Sequence, residues 1–461
     1  MKVGLSGTIF VGFTALAAAA IAQPSVKPAP PMNAFFEEWR DAFNAGDPAS
    51  IKGFYAARND DPNPMFALES AEDICGVTLD EVVERSDKAT TLLLRQKCLP
   101  GLLRLKLERA DADPAKLKTV DLRPLPLPGT GAVEAVASIA QRLTARDAFA
   151  GAVIVQRGKE RLLAQSWGIA DRSDNRAVTL DTPMFLASAG KMFTAVAMLQ
   201  LVEEGKVELD APLGRYLTDY PNAAMAQVTI RQLLTHRGGA GDIGILERGE
   251  GTNRTKVRTI ADMIRLNGDR APAFPPGSKD EYSNYGFILL GAVIEKVTGE
   301  AYQDLVARRI FAPAGMTASA FPDRDHLQGV AVGYTTYFGE EKVPLPNLDS
   351  LPWRGASAGG GVASANDMLR FFDALRAGKL LGPAMLKLAT SAGATPWYGL
   401  GFVVNPDTPP SWGHGGTSYG MDVAAHHYPS IDTTFICLGA RDMVCNRLIF
   451  AWYLRTFPPQ D

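Results

Sequence analysis

Apolar positions change period along the first hundred residues. Phe35, Trp39 and Phe43 recur every four residues and stop at Ala45-Gly46, which predicts a helix closed by glycine. A second helix is expected from Asp47-Pro48. Farther on the period falls to two: Leu103, Leu105 and Leu107 alternate with Arg104, Lys106 and Glu108, and Pro100-Gly101 turns the chain into this strand from the run Leu92 to Leu94. Helices followed by antiparallel strands predict a small α+β unit over 32–120. Pro124, Pro126 and Pro128 then exclude helix or central strand, because proline fixes φ and removes a donor. A stiff linker and domain boundary are expected at 121–131, with a second domain over 132–461.

Two apolar stretches, Ala152 to Val155 and Leu162 to Ala164, flank Arg157-Gly158-Lys159, a hairpin signature. The end of the chain has the same character. Trp397 to Val404, Met421 to Tyr428 and Thr433 to Leu438 read as strands, and Asn446 to Phe457 as a final helix. Helices and loops dominate between, from about 190 to 385. The fold class expected is therefore α/β (α+β): strands from both ends meet in a mostly antiparallel sheet flanked by helices, with an all-helical lobe beside it, preceded by the small α+β domain. The stretch Trp39 to Asp47 resembles the first helices of cone-shaped α+β domains of the nuclear-transport-factor type.

Charge narrows the function. Among 461 residues, 47 Lys+Arg face 50 Asp+Glu for a net of −3, so no basic field exists to hold phosphate backbones, and no nucleic acid partner is expected. Met1 to Ala22 combines Lys2, an apolar run from Ile9 to Ile21 and Ala20-Ile21-Ala22 before Gln23-Pro24, the pattern of a cleaved export signal. A secreted or periplasmic protein without a transmembrane anchor is expected. Cys75 with Cys98 and Cys437 with Cys445 are the economical disulfides there, with buried thiols the alternative for the second pair. No Cys-x-x-Cys and no His-Glu-x-x-His occurs, so no metal site and no cofactor are expected.

Candidate chemistry begins at Ser188-Ala189-Gly190-Lys191, which opens a helix whose inward face is Met192, Ala195, Val196, Leu199 and Val202. Helical spacing brings the Lys191 amine to the Ser188 hydroxyl. Serine needs a neighbour to take its proton, and a lysine can do so once burial lowers its pKa. The plain alternative is a solvated lysine near a helix start. Leu186 and Ala187 before it, and Met192 and Phe193 after it, make that an odd place for one.

Tyr282-Ser283-Asn284 follows Pro275-Pro276-Gly277 and precedes an apolar helix from Tyr285 to Val297. It offers a phenol and an amide to one cleft. Tyr220-Pro221-Asn222 repeats the pattern in a polar stretch and is read as structural. In Trp412-Gly413-His414-Gly415-Gly416-Thr417, glycines beside a histidine before a strand allow close backbone approach, and an N–H there can serve an oxyanion. Gly359-Gly360-Gly361 lacks a following Gly-Lys-Ser/Thr and is read as close backbone packing near the site.

The succession of Ser-x-x-Lys, Tyr-x-Asn and His-Gly-Gly is similar to the serine β-lactamase and penicillin-binding superfamily, specifically class C-like members and the related esterases and D-aminopeptidases. The resemblance covers about 135 to 458 and includes Thr229 to His236, Tyr282 to Gly291 and Ala358 to Met368. It implies an acyl-enzyme on Ser188, with Lys191 as base, Tyr282 as proton shuttle and Asn284 bound to the substrate amide or carbonyl. Backbone N–H groups of Ser188 and Thr417 would form the oxyanion hole, with His414 and Gly416 beside them as substrate-binding residues. Which of Lys191 and Tyr282 takes the first proton is open, because coupled groups titrate together.

Two departures shape the expected substrate. His414 stands where β-lactamases place lysine and gives no permanent cation for a substrate carboxylate. That favours a small-molecule ester or peptide over efficient lactam turnover, with weak lactam hydrolysis as a side reaction. Arg237 follows Leu-Thr-His where a small residue is expected and would restore a positive charge if it faced the cleft. The competing reading is a sensor or binding protein that keeps the fold without turnover, with the N-terminal unit as its ligand or partner module. Nothing in the sequence sets the natural substrate or the oligomeric state.

Overall fold

The computed structural model describes residues 30–59, 64–243, 257–338, 343–407 and 409–458. The expected export signal lies outside them. Three helices come first: α1 (Met32–Ala45), α2 (Pro48–Arg58) and α3 (Met65–Ile74). The four-residue period of α1 buries Phe35, Trp39 and Phe43, and the helix stops at Gly46 with φ 71°. Asp47 caps α2, its carboxylate accepting the Ser50 N–H at 2.9 Å.

Four strands follow as an antiparallel meander, β1 (Val77–Arg85), β2 (Ala89–Gln96), β3 (Leu102–Arg109) and β4 (Leu117–Pro124), paired in that order. Leu92, Leu94, Leu103, Leu105 and Leu107 point into one core, as alternation requires. The opposite face carries ion pairs such as Lys106–Glu108 at 2.9 Å and Arg104–Asp121 at 3.8 Å. One boundary needs correcting. β4 runs to Pro124, into the segment expected as linker, because it is the edge strand and a proline there costs no ladder bond.

Helix α4 (Gly131–Ala145) leads into a six-stranded antiparallel sheet. Its strands are β5 (Gly151–Arg157), β6 (Glu160–Trp167), β7 (Val403–Asn405), β8 (Ser411–Ser418), β9 (Met421–Tyr428) and β10 (Thr433–Gly439), in the order β7-β8-β9-β10-β5-β6. The two ends of the chain meet where Gly151 pairs with Gly439 and Arg157 with Thr433. Two strand expectations shift. Only Val403–Asn405 of the 397–404 stretch is strand, since Gly401 takes φ 85° and turns the chain. The His-Gly-Gly motif lies within β8 itself rather than ahead of a strand.

One face of this sheet packs on the helical lobe, built around α5 (Lys191–Glu203), α6 (Asn284–Thr298) and α7 (Ala365–Arg376). The other face packs on α4 and on α8 (Val444–Thr456). That second core is continuous with the core of the N-terminal unit. Arg447 of α8 ties the two together, pairing with Asp73 at 2.7 Å in a nearly buried contact. Both local cysteine pairs are disulfides, Cys75–Cys98 and Cys437–Cys445. Among the described residues no helix is long and apolar enough to cross a membrane.

Candidate active site

A single tight turn, Ala187–Gly190, follows the short strand Met184–Phe185, leads into α5 and presents Ser188. Ala187 holds φ 44°, a left-handed conformation that a side chain disfavours and that tertiary packing must enforce. The enforcing contact is the glycine run. The Gly360 N–H donates to the Ala187 carbonyl at 2.9 Å, and a Cβ on Gly190 would lie 2.7 Å from the Gly360 carbonyl oxygen. On the other side stands β8, where a Cβ on Gly416 would lie 2.9 Å from the Ser188 nitrogen. Glycine is required at both places because two backbones approach without room for a side chain.

Lys191 is completely buried. Its amine lies 3.1 Å from Ser188 Oγ and 2.7 Å from Asn284 Oδ1, and it also donates to the Ala358 carbonyl. Burial lowers its pKa to about 7, with the Asp242 carboxylate opposing the shift. In the neutral form two N–H groups satisfy Asn284 and Ala358, and the lone pair is left for the Ser188 proton. This is the arrangement a serine nucleophile needs.

Tyr282 completes the group. Its ring centroid is 4.8 Å from the Lys191 amine, and its phenol is close enough to Ser188 for that hydroxyl to oppose part of the burial shift. Desolvation pushes its pKa up to about 12, so it keeps its proton at neutral pH. Ser283 caps α6, accepting the Gly286 N–H at 2.9 Å, which fixes Asn284 as the first helical residue. His236 packs against the Tyr282 ring, centroids 4.3 Å apart and tilted by 40°, and accepts the Ser283 N–H on Nδ1 at 3.1 Å. Burial first, then the Lys191 charge, drives the His236 pKa down to about 2, so this histidine is neutral.

Of the residues singled out in the sequence, Ser188, Lys191, Tyr282 and Asn284 converge, with Gly416 against the nucleophile turn. Ser188, Asn284 and Thr417 line a cleft of about 280 Å³. His414 does not line it. Its ring is buried under β8, donating from Nδ1 to the Gly415 carbonyl and accepting the Tyr398 hydroxyl on Nε2 at 2.9 Å. Desolvation lowers its pKa to about 3. The expectation that this side chain meets substrate is corrected: it is a neutral brace, because the alternation of β8 turns it inward. Arg237 also turns away, bonding the carbonyls of Ala394 and Gly277 and lying 3.7 Å from Asp280. Tyr220 bonds the Tyr285 hydroxyl at 3.0 Å, a structural contact as expected.

Two aspartates escaped the sequence reading. Asp242 accepts Asn284 Nδ2 at 2.9 Å, which orients that amide with its oxygen toward Lys191. Its only signal was a carboxylate directly after Gly239-Ala240-Gly241. Asp422, fully buried, accepts the Thr417 hydroxyl at 2.6 Å and the Cys445 and Asn446 N–H groups at 2.7 and 3.2 Å. It ties the strand beside Ser188 to the N-terminus of α8, which Cys437–Cys445 also anchors. A charge inside the apolar run Met421 to Ala425 was a legible sign of such a role.

The profile of the family described as Beta-lactamase matches residues 136–447. The chain belongs to the β-lactamase family. This β-lactamase-family chain is 31% identical over 261 residues to the putative penicillin-binding protein PbpX of Bacillus subtilis (strain 168), covering 56% of this chain and 63% of the relative. It is 33% identical over 234 residues to the D-aminopeptidase of Brucella ovis, covering 49% of this chain and 43% of that protein. The match therefore spans less than two thirds of either relative. A penicillin binding protein from Bacillus halodurans shares the fold with TM-score 0.61 and 30% identity over 67% of this chain and 96% of its own. The D-amino acid amidase from Ochrobactrum anthropi SV3 shares the fold alone, with TM-score 0.60 and 23% identity over 70% of this chain and 97% of its own. The fold, and membership of the β-lactamase/transpeptidase-like serine hydrolase superfamily, stand on these matches together with the sheet and lobe described above.

Proposed function

We propose that the protein is an exported serine hydrolase that cleaves an ester or amide through an acyl-enzyme on Ser188. One observation carries the reading: a buried amine with pKa about 7 lies 3.1 Å from the serine hydroxyl. Ser188 Oγ attacks the carbonyl carbon while its proton passes to Lys191. The carbonyl becomes an oxyanion facing the N–H groups of Ser188 and Thr417, the two donors that fit beside the nucleophile. Tyr282 passes the proton on to the leaving group as its bond to carbon breaks. Water then repeats the sequence on the acyl-enzyme and frees Ser188.

Esters and amides are favoured over lactams because His414 is buried and uncharged and Arg237 faces elsewhere, so neither supplies the cation expected beside the third motif. The amidase and aminopeptidase activities named for its relatives support an amide substrate. Export is supported by the leader pattern and by two disulfides, which persist in oxidising compartments.

Treatment with a fluorophosphonate followed by intact-mass measurement tests the mechanism. One covalent adduct is expected, absent in Ser188→Ala and strongly slowed in Lys191→Ala. A well-folded protein that stays unlabelled would instead support a binding protein without turnover. Rates on an aryl ester, a D-amino-acid amide and a cephalosporin test the substrate class, and cephalosporin turnover far above the other two would overturn it.

A further inference from the structure

Every charged side chain among the described residues lining the cleft is an arginine, Arg324 or Arg354. The remaining wall away from Ser188 is largely apolar, with Ile243, Met263, Ile288, Leu351 and Trp353. A cleft whose described lining is largely apolar and carries cations and no acid suits a particular kind of ligand. Apolar walls take a hydrocarbon or aromatic group, and a guanidinium fork takes a carboxylate or similar anion.

The two arginines are held in place by the loops that carry them. Arg354 Nε donates to the Phe321 carbonyl at 2.5 Å. The Arg324 N–H donates to the Trp353 carbonyl at 2.9 Å, which sets the two loops side by side. Arg258 stacks on the other partner of this group, its guanidinium 4.1 Å from the Trp353 ring centroid, adding a third positive charge. The acids nearby are poor competitors. Asp349 reaches Arg324 at 3.5 Å but is fully exposed, and such pairs contribute little. Asp323, which neighbours Arg354, is engaged with His326 at 2.7 Å.

We infer that Arg324 and Arg354 form an anion-receiving subsite, and that the preferred substrate presents to this cleft an apolar acyl group ending in a carboxylate. This rests on the serine hydrolase reading and deepens it. Arg237, which would have restored a positive charge if it faced the cleft, turns away; among the described lining residues the positive charge sits on Arg324 and Arg354. A carboxylate received there would sit at the end of an apolar acyl group, a different preference from the carboxylate next to the scissile bond that a lysine in the third motif would serve.

The experiment compares the p-nitrophenyl ester of octanoic acid with the mono-p-nitrophenyl ester of octanedioic acid on the full chain. A kcat/KM about tenfold higher for the carboxylated ester is expected, carried mainly by KM, since one well-placed charge-assisted contact discriminates by about that factor. The ratio should fall toward one in Arg324→Gln with Arg354→Gln, with folding of the variant checked by fluorophosphonate labelling of Ser188. It should also fall with added salt in the unaltered protein, a measurement that needs no variant. Equal or lower kcat/KM for the carboxylated ester, or a preference untouched by both the substitutions and salt, overturns the subsite. Ser188-dependent hydrolysis of the neutral ester would then still uphold the hydrolase reading, whereas loss of labelling at Ser188 would remove that reading first.

Discussion

The molecule contains two antiparallel sheets that differ chiefly in how much water they touch. In the N-terminal sheet one face is covered by helices and the other is left to solvent, where Lys106 and Glu108 pair side by side along β3. In the six-stranded sheet both faces are covered, and all seven residues of β10 are buried. The consequence is chemical. On the open face the Lys106–Glu108 hydrogen bond raises the lysine and lowers the glutamate, favouring both charged forms, while groups enclosed against the second sheet are shifted toward the neutral form. Lys191 falls to about 7, His414 to about 3, and Asp422 is raised, in each case because burial penalises the charged form. Reactive groups here arise where water has been excluded on both sides of a sheet.

The comparison can be broken at several points. The largest effect should come from Lys191→Ala, which removes the desolvated amine proposed as base: turnover is expected to fall by about three to four orders of magnitude, measured against active-site-titrated protein. Lys191→Ala combined with Ser188→Ala should cost little more, because the two groups act as a unit. Next is the joint between the two regions. Arg447→Ala removes the direct ion pair of the nearly buried Asp73, leaving only the more distant charges of Arg142 and Arg455, and should lower stability by about 2 kcal/mol in urea unfolding. Both sheets should then lose protection in hydrogen exchange if they share a core; loss confined to the N-terminal unit would separate them.

The pH profile sharpens the desolvation argument. Below pH 7 the Lys191 amine takes up a proton and stops acting as a base, so kcat/KM should drop about tenfold per pH unit, with a plateau above. His236, at about 2, and His414, at about 3, are neutral throughout that range and contribute no limb. A limb that survives Lys191→Ala would reassign the base. A smaller effect is expected at Asp422, which positions the strand carrying Thr417. Asp422→Asn should lower kcat roughly tenfold with little change in KM, and Thr417→Val should add almost nothing to it, since both remove the same bond. Smallest of all is Lys106→Gln on the open face, which should stay within about 0.5 kcal/mol in stability and leave turnover unchanged.

Local chemistry made much of this legible. Ser188 and Lys191 are three residues apart on one helical turn, so their meeting follows from helix geometry. The leucine alternation of β3 and the four-residue period of α1 likewise specify which faces are buried. What escaped was long-range. His414 sits in a glycine-rich stretch that looks open, yet β8 pairs on both sides and its pleat turns that ring inward to Tyr398. Arg237 follows a signature segment, but its direction was set by carbonyls of Gly277 and Ala394, remote in sequence.

The order of amino acids alone determined the four-residue period of α1, the leucine alternation of β3, the economical pairing of Cys75 with Cys98 and the nearness of Ser188 to Lys191, because each follows from local spacing. Folding decided the rest. The proton affinity of Lys191, the facing of His414, the aspartates behind Asn284 and Thr417, and the gathering of Arg324 with Arg354 all depend on which distant segments displace water around a given atom. That is a property of packed volume, and no local spacing encodes it.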